Sequence, residues 1–163
     1  MKVIFLDFDG VITTPESKYA LCPKKMALLK EIVDATDARI VISSSWRRTN
    51  LQETISHITD KNNPFIKENP FILTDKVVGI THRMFGFIHP NKDRHCKIPR
   101  GVEINAWVFE HEMDIESYVI LDDDDDMLYI QRNRFVHTDG LQGLTEADVA
   151  KAIDILNNKP YEA

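Results

Sequence analysis

The chain opens on Met1-Lys2-Val3-Ile4-Phe5-Leu6-Asp7-Phe8-Asp9-Gly10-Val11, and the reading of this stretch decides the fold. Four apolar residues, 3–6, run straight into Asp7, and Asp9 and Gly10 follow at once. A continuous apolar run that stops abruptly suits a strand buried on both faces, as in a parallel sheet covered by helices. Charge without a partner is expensive to bury. Asp7 and Asp9 therefore belong at an open end of the sheet, beside a cation, or both. An Asp and a Gly also end ordinary strands in turns. Two carboxylates in the order D-x-D-G directly after a buried strand favour a site over a turn.

The same alternation continues along the chain. Apolar runs at 39–43 (R-I-V-I-S), 76–80 (K-V-V-G-I), 118–121 (Y-V-I-L) and 134–137 predict four more strands. Between them lie stretches with helical spacing. The first starts at Pro23, a residue suited to a first helical turn, places Met26, Leu28, Leu29, Ile32 and Val33 on one face, and ends near 35–37. Others are predicted at 50–58, at 102–113 with Ile104, Trp107, Val108 and Met113 inward, as a short helix at 127–132, and at 145–156 with Val149, Ile153 and Leu156 inward. Thr145 and Asp148 resemble a capping box, with Asp for the usual Glu. Five strands alternating with helices predict an α/β fold: a doubly wound, mostly parallel five-stranded sheet whose ligands sit at the carboxyl ends of the strands. Without repeats or low-complexity linkers, residues 1–163 read as one domain with no large cap, interrupted by a basic loop insertion at about 82–100.

Composition narrows the function. The 163 residues are 43% hydrophobic and 28% charged, ordinary for a globular protein. No apolar run approaches a membrane span, and the first strand is cut short by Asp7 before it could serve as a signal peptide. Cys22 and Cys96 lie far apart and form no metal-ligand spacing, so a cytoplasmic location with reduced thiols is expected. The net charge of -6 argues against broad binding of duplex nucleic acid. Residues 82–100 reverse that sign locally, with Arg83, Lys92, Arg94, Lys97 and Arg100, three histidines, and Asp93 as the one acid. A cationic rim that attracts an anion is the reading preferred over a histidine metal site.

If the sheet is parallel, the ends of three strands meet on one edge. Asp7 and Asp9, the serines Ser43, Ser44 and Ser45, and the first members of the run Asp122 to Asp126 then converge. Each group has a plainer reading: serines cap helices, and a charge run is usually a solvated face. Several carboxylates in one place shift their pKa or hold a cation. A hard divalent ion with oxygen ligands resolves the conflict, and Mg2+ is the usual ion where phosphate is bound as well. One carboxylate can then attack phosphorus and a second protonate the leaving oxygen. A hydroxyl and a cationic side chain can hold the phosphoryl oxygens.

D-F-D-G-V after a strand, a Ser at the end of the second strand, a basic residue before a helix, and Y-V-I-L-D-D resemble the four motifs of the haloacid dehalogenase (HAD) superfamily phosphatases. More narrowly, S-S-S-W-R, R-G-V-E-I-N-A-W, V-I-L-D-D-D-D-D-M and T-D-G-L-Q-G-L-T are similar to the small phosphatase-type domains of multifunctional RNA-repair proteins, relatives of polynucleotide 3′-phosphatases. The resemblance implies a HAD-like Rossmannoid fold and a Mg2+-dependent phosphomonoesterase. Asp7 would become an aspartyl-phosphate. Asp9 would be general acid/base, with its backbone carbonyl on the metal. Asp123 would be a ligand and Asp122 its supporting neighbour, the register within 122–126 being open. Phosphate would meet Ser44, with Ser43 and Ser45 as alternatives, and Arg100, with Lys97 as runner-up. Arg47 either adds to that pocket or is a solvated helix residue. The implied partner is a phosphorylated substrate, either a small phosphomonoester or an oligonucleotide end. A receiver-like regulatory module or an inactive metal-binding scaffold are the alternatives. A receiver would carry a lone acceptor Asp after the third strand, where this chain has Gly79 to Thr81.

Overall fold

The computed structural model describes residues 1–66, 68–84 and 98–161. Five strands form one sheet: β1 (Lys2–Leu6), β2 (Arg39–Ile42), β3 (Val77–Ile80), β4 (Ser117–Asp122) and β5 (Phe135–His137). Their order is β3-β2-β1-β4-β5, and every pairing is parallel. Among the described residues, α1 (Pro23–Thr36), α2 (Leu51–Thr59) and α3 (Arg100–Glu110) connect the first four strands, and α4 (Glu146–Asn158) follows β5. The fold is therefore α/β and HAD-like Rossmannoid, with no large cap among the described residues. The parallel sheet is complete where only a mostly parallel one was expected.

β1 is in the middle of the sheet, and its apolar run is divided between two cores. Ile4 and Leu6 join the larger core, with α1, α4 and the loop after α2. Val3 and Phe5 pack with Ile104, Trp107 and Val108 of α3, where Phe5 meets the Trp107 ring edge-on at 5.4 Å. Helices on both faces are why this strand needs no polar alternation.

The elements fall within a few residues of their predicted positions, and the differences have local causes. Asn50 caps α2 by accepting from the Glu53 amide at 2.9 Å. The Thr145–Asp148 capping box forms as read. α3 begins at Arg100 rather than 102, because Asp126 from the distant acidic run accepts the Arg100 amide at 3.1 Å. It ends at Glu110, so Met113 lies past the helix and is exposed, against the expected inward position. The short helix expected at 127–132 is a single 3-10 turn, Tyr129–Gln131. Ile153 is only partly buried, while Ala152 and Ile155 complete the inner face of α4.

Of the basic stretch 82–100, residues 85–97 lie outside the described residues, and with them His89, Lys92, Arg94, His95 and Lys97. At its near end, His82 faces Glu110 at 3.1 Å, and Arg83 donates to the carbonyls of Ser45 (2.8 Å) and Arg47 (3.1 Å). No helix among the described residues is long and apolar enough to cross a membrane.

Candidate active site

Parallel pairing brings the carboxyl ends of β1, β2 and β4 to one edge. The ladder continues past each strand: the Asp7 amide donates to Leu121 O at 3.0 Å, and the Ser43 amide to Leu6 O at 3.0 Å. Asp7 thereby stands between the serines after β2 and the acids ending β4. One carboxylate oxygen from each of Asp7, Asp122 and Asp123 lies within 4.8 Å of the others.

Asp7 and Asp122 are buried, and two neighbouring carboxylates in a dry place cannot both ionise freely. Burial, above all, raises Asp7 to about 6, against the lowering effect of the Arg100 charge and of hydrogen bonds from Ser44 and the Phe8 backbone. Burial and then the Asp7 charge push Asp122 up to about 8. Asp123 is also raised, by partial burial and by Asp124. Asp122 Oδ1 accepts the Asp124 amide at 2.9 Å, but its buried Oδ2 accepts no hydrogen bond from the described residues, with Arg100 Nε 3.7 Å away. A buried carboxylate oxygen without a hydrogen bond, in a cluster of three, fits a hard cation with oxygen ligands such as Mg2+.

The space for Asp123 is made by glycines. A Cβ on Gly10 would collide with the Asp123 carboxylate, and one on Gly140 would come within 2.5 Å of Asp123 Oδ2. Gly10 also has φ +71°, a conformation that side chains disfavour. Thr138, buried just after β5, donates to Gly10 O at 2.8 Å, and His137 Nε2 lies 2.8 Å from Asp123 O. Gly140 and Thr138 were missed in the sequence. Their only signal was membership of the T-D-G-L-Q-G stretch, which reads equally well as a turn.

Ser44 is fully buried, its hydroxyl helps to lower the Asp7 pKa, and its Oγ accepts the Trp46 amide at 3.2 Å. Ser43 is buried, with no hydrogen-bond partner for its hydroxyl among the described residues, and Ser45 is exposed. Arg100 reaches the acids from the first turn of α3. Its alternative, Lys97, lies outside the described residues. Arg47 is neither solvated nor in the acid cluster. It is buried, donating to Glu103 Oε2 at 2.9 Å, to Thr81 Oγ1 at 2.6 Å and to the Ser43 carbonyl. This correction has a simple cause: residue 47 is not on a helix but in the turn after β2, which points it under α3.

The Asp9 side chain does not join the other three. The Trp46 indole N–H faces both its oxygens, at 3.2 and 3.1 Å, and Thr13 Oγ1 donates at 2.9 Å. It faces a cavity of about 660 Å³. Four of the five aspartates thus divide: 122 and 123 join the cluster, the Asp124 amide closes a turn on Asp122, and Asp126 caps α3.

No curated protein and no solved structure matches the chain significantly. Residues 3–149 match the family described as HAD domain in Swiss Army Knife RNA repair proteins. That match spans β1 to the first turn of α4 and holds every carboxylate of the cluster. The chain belongs to this family of HAD domains, whose chemistry is hydrolysis of the phosphatase type.

Proposed function

We propose that the protein is a Mg2+-dependent phosphomonoester hydrolase working through an aspartyl-phosphate on Asp7, with phosphorylated nucleic-acid ends or nucleotides as its substrates. The observation that carries the reading is the gathering of Asp7, Asp122 and Asp123 against Ser44 and Arg100, with the Asp9 carboxylate held apart by Trp46. Nucleic acid as the substrate class is supported by the RNA-repair context in the family's description.

The carboxylates of Asp7, Asp122 and Asp123 and the backbone carbonyl of Asp9 would hold the ion. Bound there, Mg2+ supplies positive charge that screens an anionic phosphate from an anionic nucleophile. Ser44 and Arg100 hold the phosphoryl oxygens. An Asp7 oxygen bonds to phosphorus as the bond to the leaving alcohol breaks, and Asp9 gives that oxygen its proton. Asp9, now ionised, takes a proton from water as the water oxygen bonds to phosphorus. The Asp7–phosphorus bond then breaks, which releases phosphate and restores both side chains.

Hydrolysis of an aryl phosphate in the presence of Mg2+ tests the reading. Turnover is expected, with loss below detection in Asp7→Asn. A folded protein that turns over no member of a phosphomonoester panel overturns it.

A further inference from the structure

The cavity on the far side of Asp9 is not explained by phosphate chemistry alone. We propose that it is the leaving-group pocket and that it takes the nucleobase of a nucleoside phosphomonoester, whether a free nucleotide or the last residue of a strand. The proposal rests on the phosphatase reading and adds the location of the base.

Position comes first. A phosphate held between Asp7, Ser44 and Arg100 has its leaving oxygen beside Asp9, the proposed proton donor, so the remainder of the alcohol extends past Asp9 into the cavity. At about 660 Å³ the space matches ordinary ligand pockets.

The walls are aromatic. Trp46 comes from the turn after β2, Tyr19 from the excursion between β1 and α1, and Phe65 from the loop after α2. Tyr19 and Phe65 are 51% and 46% exposed. Phe65 meets the Trp46 ring edge-on at 6.3 Å, and Trp46 rests on Phe8 at 5.3 Å. The Phe65 carbonyl accepts the Leu21 amide at 3.0 Å, which ties two of the walls together. Lys18 and Tyr19 are consecutive non-glycine residues at φ +53° and +58°. Such a conformation is uncommon away from glycine and is often kept where a side chain must be aimed. Two half-exposed rings and the part-buried Trp46, from three loops around one space, make the kind of stacking platform that single-stranded nucleic acid uses, because every base has a π-face.

The polar lining agrees. Arg48 lies 2.9 and 3.1 Å from the two nitrogens of His57, whose pKa is lowered by desolvation and by that guanidinium. Among the described residues Arg48 makes no ion pair with a carboxylate. Its charge is open to the next phosphodiester of a strand. Asp9, the one acid on the wall among the described residues, is already engaged by Trp46. A leaving group that is planar, uncharged and close to phosphate meets all of these features.

The test compares kcat/KM with Mg2+ for adenosine 3′- and 5′-monophosphate, a 3′-phosphorylated oligonucleotide, ribose 5-phosphate and a phosphotyrosine peptide. At least one base-bearing substrate is expected to exceed ribose phosphate by about tenfold or more, the scale of one base stacked on an aromatic ring. Phe65→Ala and Tyr19→Ala should each shrink that ratio several-fold, while Phe109→Ala, exposed on α3 away from the cavity, leaves it in place. Equal rates with and without a base, a preference for the peptide, or a ratio untouched by Phe65→Ala overturns the proposal. A binding measurement separates this failure from that of the phosphatase reading. The indole N–H resonance of Trp46 should show, with adenosine monophosphate, a shift beyond that seen with ribose phosphate, whether or not turnover is seen. Absence of that extra shift overturns the base pocket even in an active enzyme.

Discussion

Asp7 and Asp122 are buried acids a short distance apart, and their raised pKa values make a stability statement. A carboxyl whose folded pKa lies above its unfolded one contributes stability that is complete below the unfolded value and is lost as pH rises through the folded value. The unfolded value is about 4, and the folded pair titrates near 6 and 8. Metal-free protein should therefore melt at progressively lower temperature between pH 5 and pH 8. Mg2+ should raise the melting temperature more at pH 8 than at pH 5, because it binds the ionised pair. Equal increments at the two pH values would contradict this. Asp122→Asn should melt higher than the parent in chelator at pH 8 and lose most of the Mg2+ increment. The convergence of Asp7, Asp122 and Asp123 was legible because carboxylates that abut apolar runs have few structural uses. The grip of Trp46 on Asp9 and the clearance of Gly140 for Asp123 were not legible. Each joins residues tens or more than a dozen positions apart whose proximity only the folded sheet creates.

Among the elements, α3 is held on the sheet edge by an unusual device. Arg47, from the turn after β2, is buried with Glu103 of α3, and Arg100 joins the same carboxylate at 3.3 Å. Removing one partner of a buried pair leaves an uncompensated charge, so Glu103→Ala should cost about 3–5 kcal/mol in urea denaturation. Arg100 is expected to lose its aim at the acids in the same variant. Turnover should fall, through weaker phosphate binding, in the protein that remains folded. Gly10→Ala forces a side chain into both a left-handed backbone and the Asp123 carboxylate. It should abolish the Mg2+-dependent rise in melting temperature, as read by calorimetry. The strands were legible to within about a residue because burial on both faces leaves an unbroken apolar run. The ends of α3 were not, since its N-terminal cap comes from Asp126, 26 residues further on.

For the whole molecule, strand order matters more than any single motif. With β1 central and β2 and β4 beside it, the ends of those three strands deliver Asp7, the Ser44 hydroxyl and the remaining acids to one edge. The parallel arrangement followed from alternating strands and helices in the sequence. The separation of that edge into an acid cluster and a cavity on either side of Asp9 did not, because adjacent residues in sequence point to opposite tasks only once the turn at Gly10 is formed. General acid/base work contributes roughly 10²–10⁴-fold. Asp9→Asn should thus lose much more rate on an alkyl phosphate than in the first step with an aryl phosphate, whose leaving group needs little protonation. The same variant gives the most direct test of the central claim. Asp9→Asn protein is mixed with an aryl phosphate and Mg2+, quenched, reduced with borohydride and mapped by mass spectrometry. The account predicts a burst of about one phenol per protein and conversion of Asp7 to homoserine, the reduction product of an aspartyl-phosphate. Phenol release with Asp7 unmodified, or modification at another residue, would contradict it.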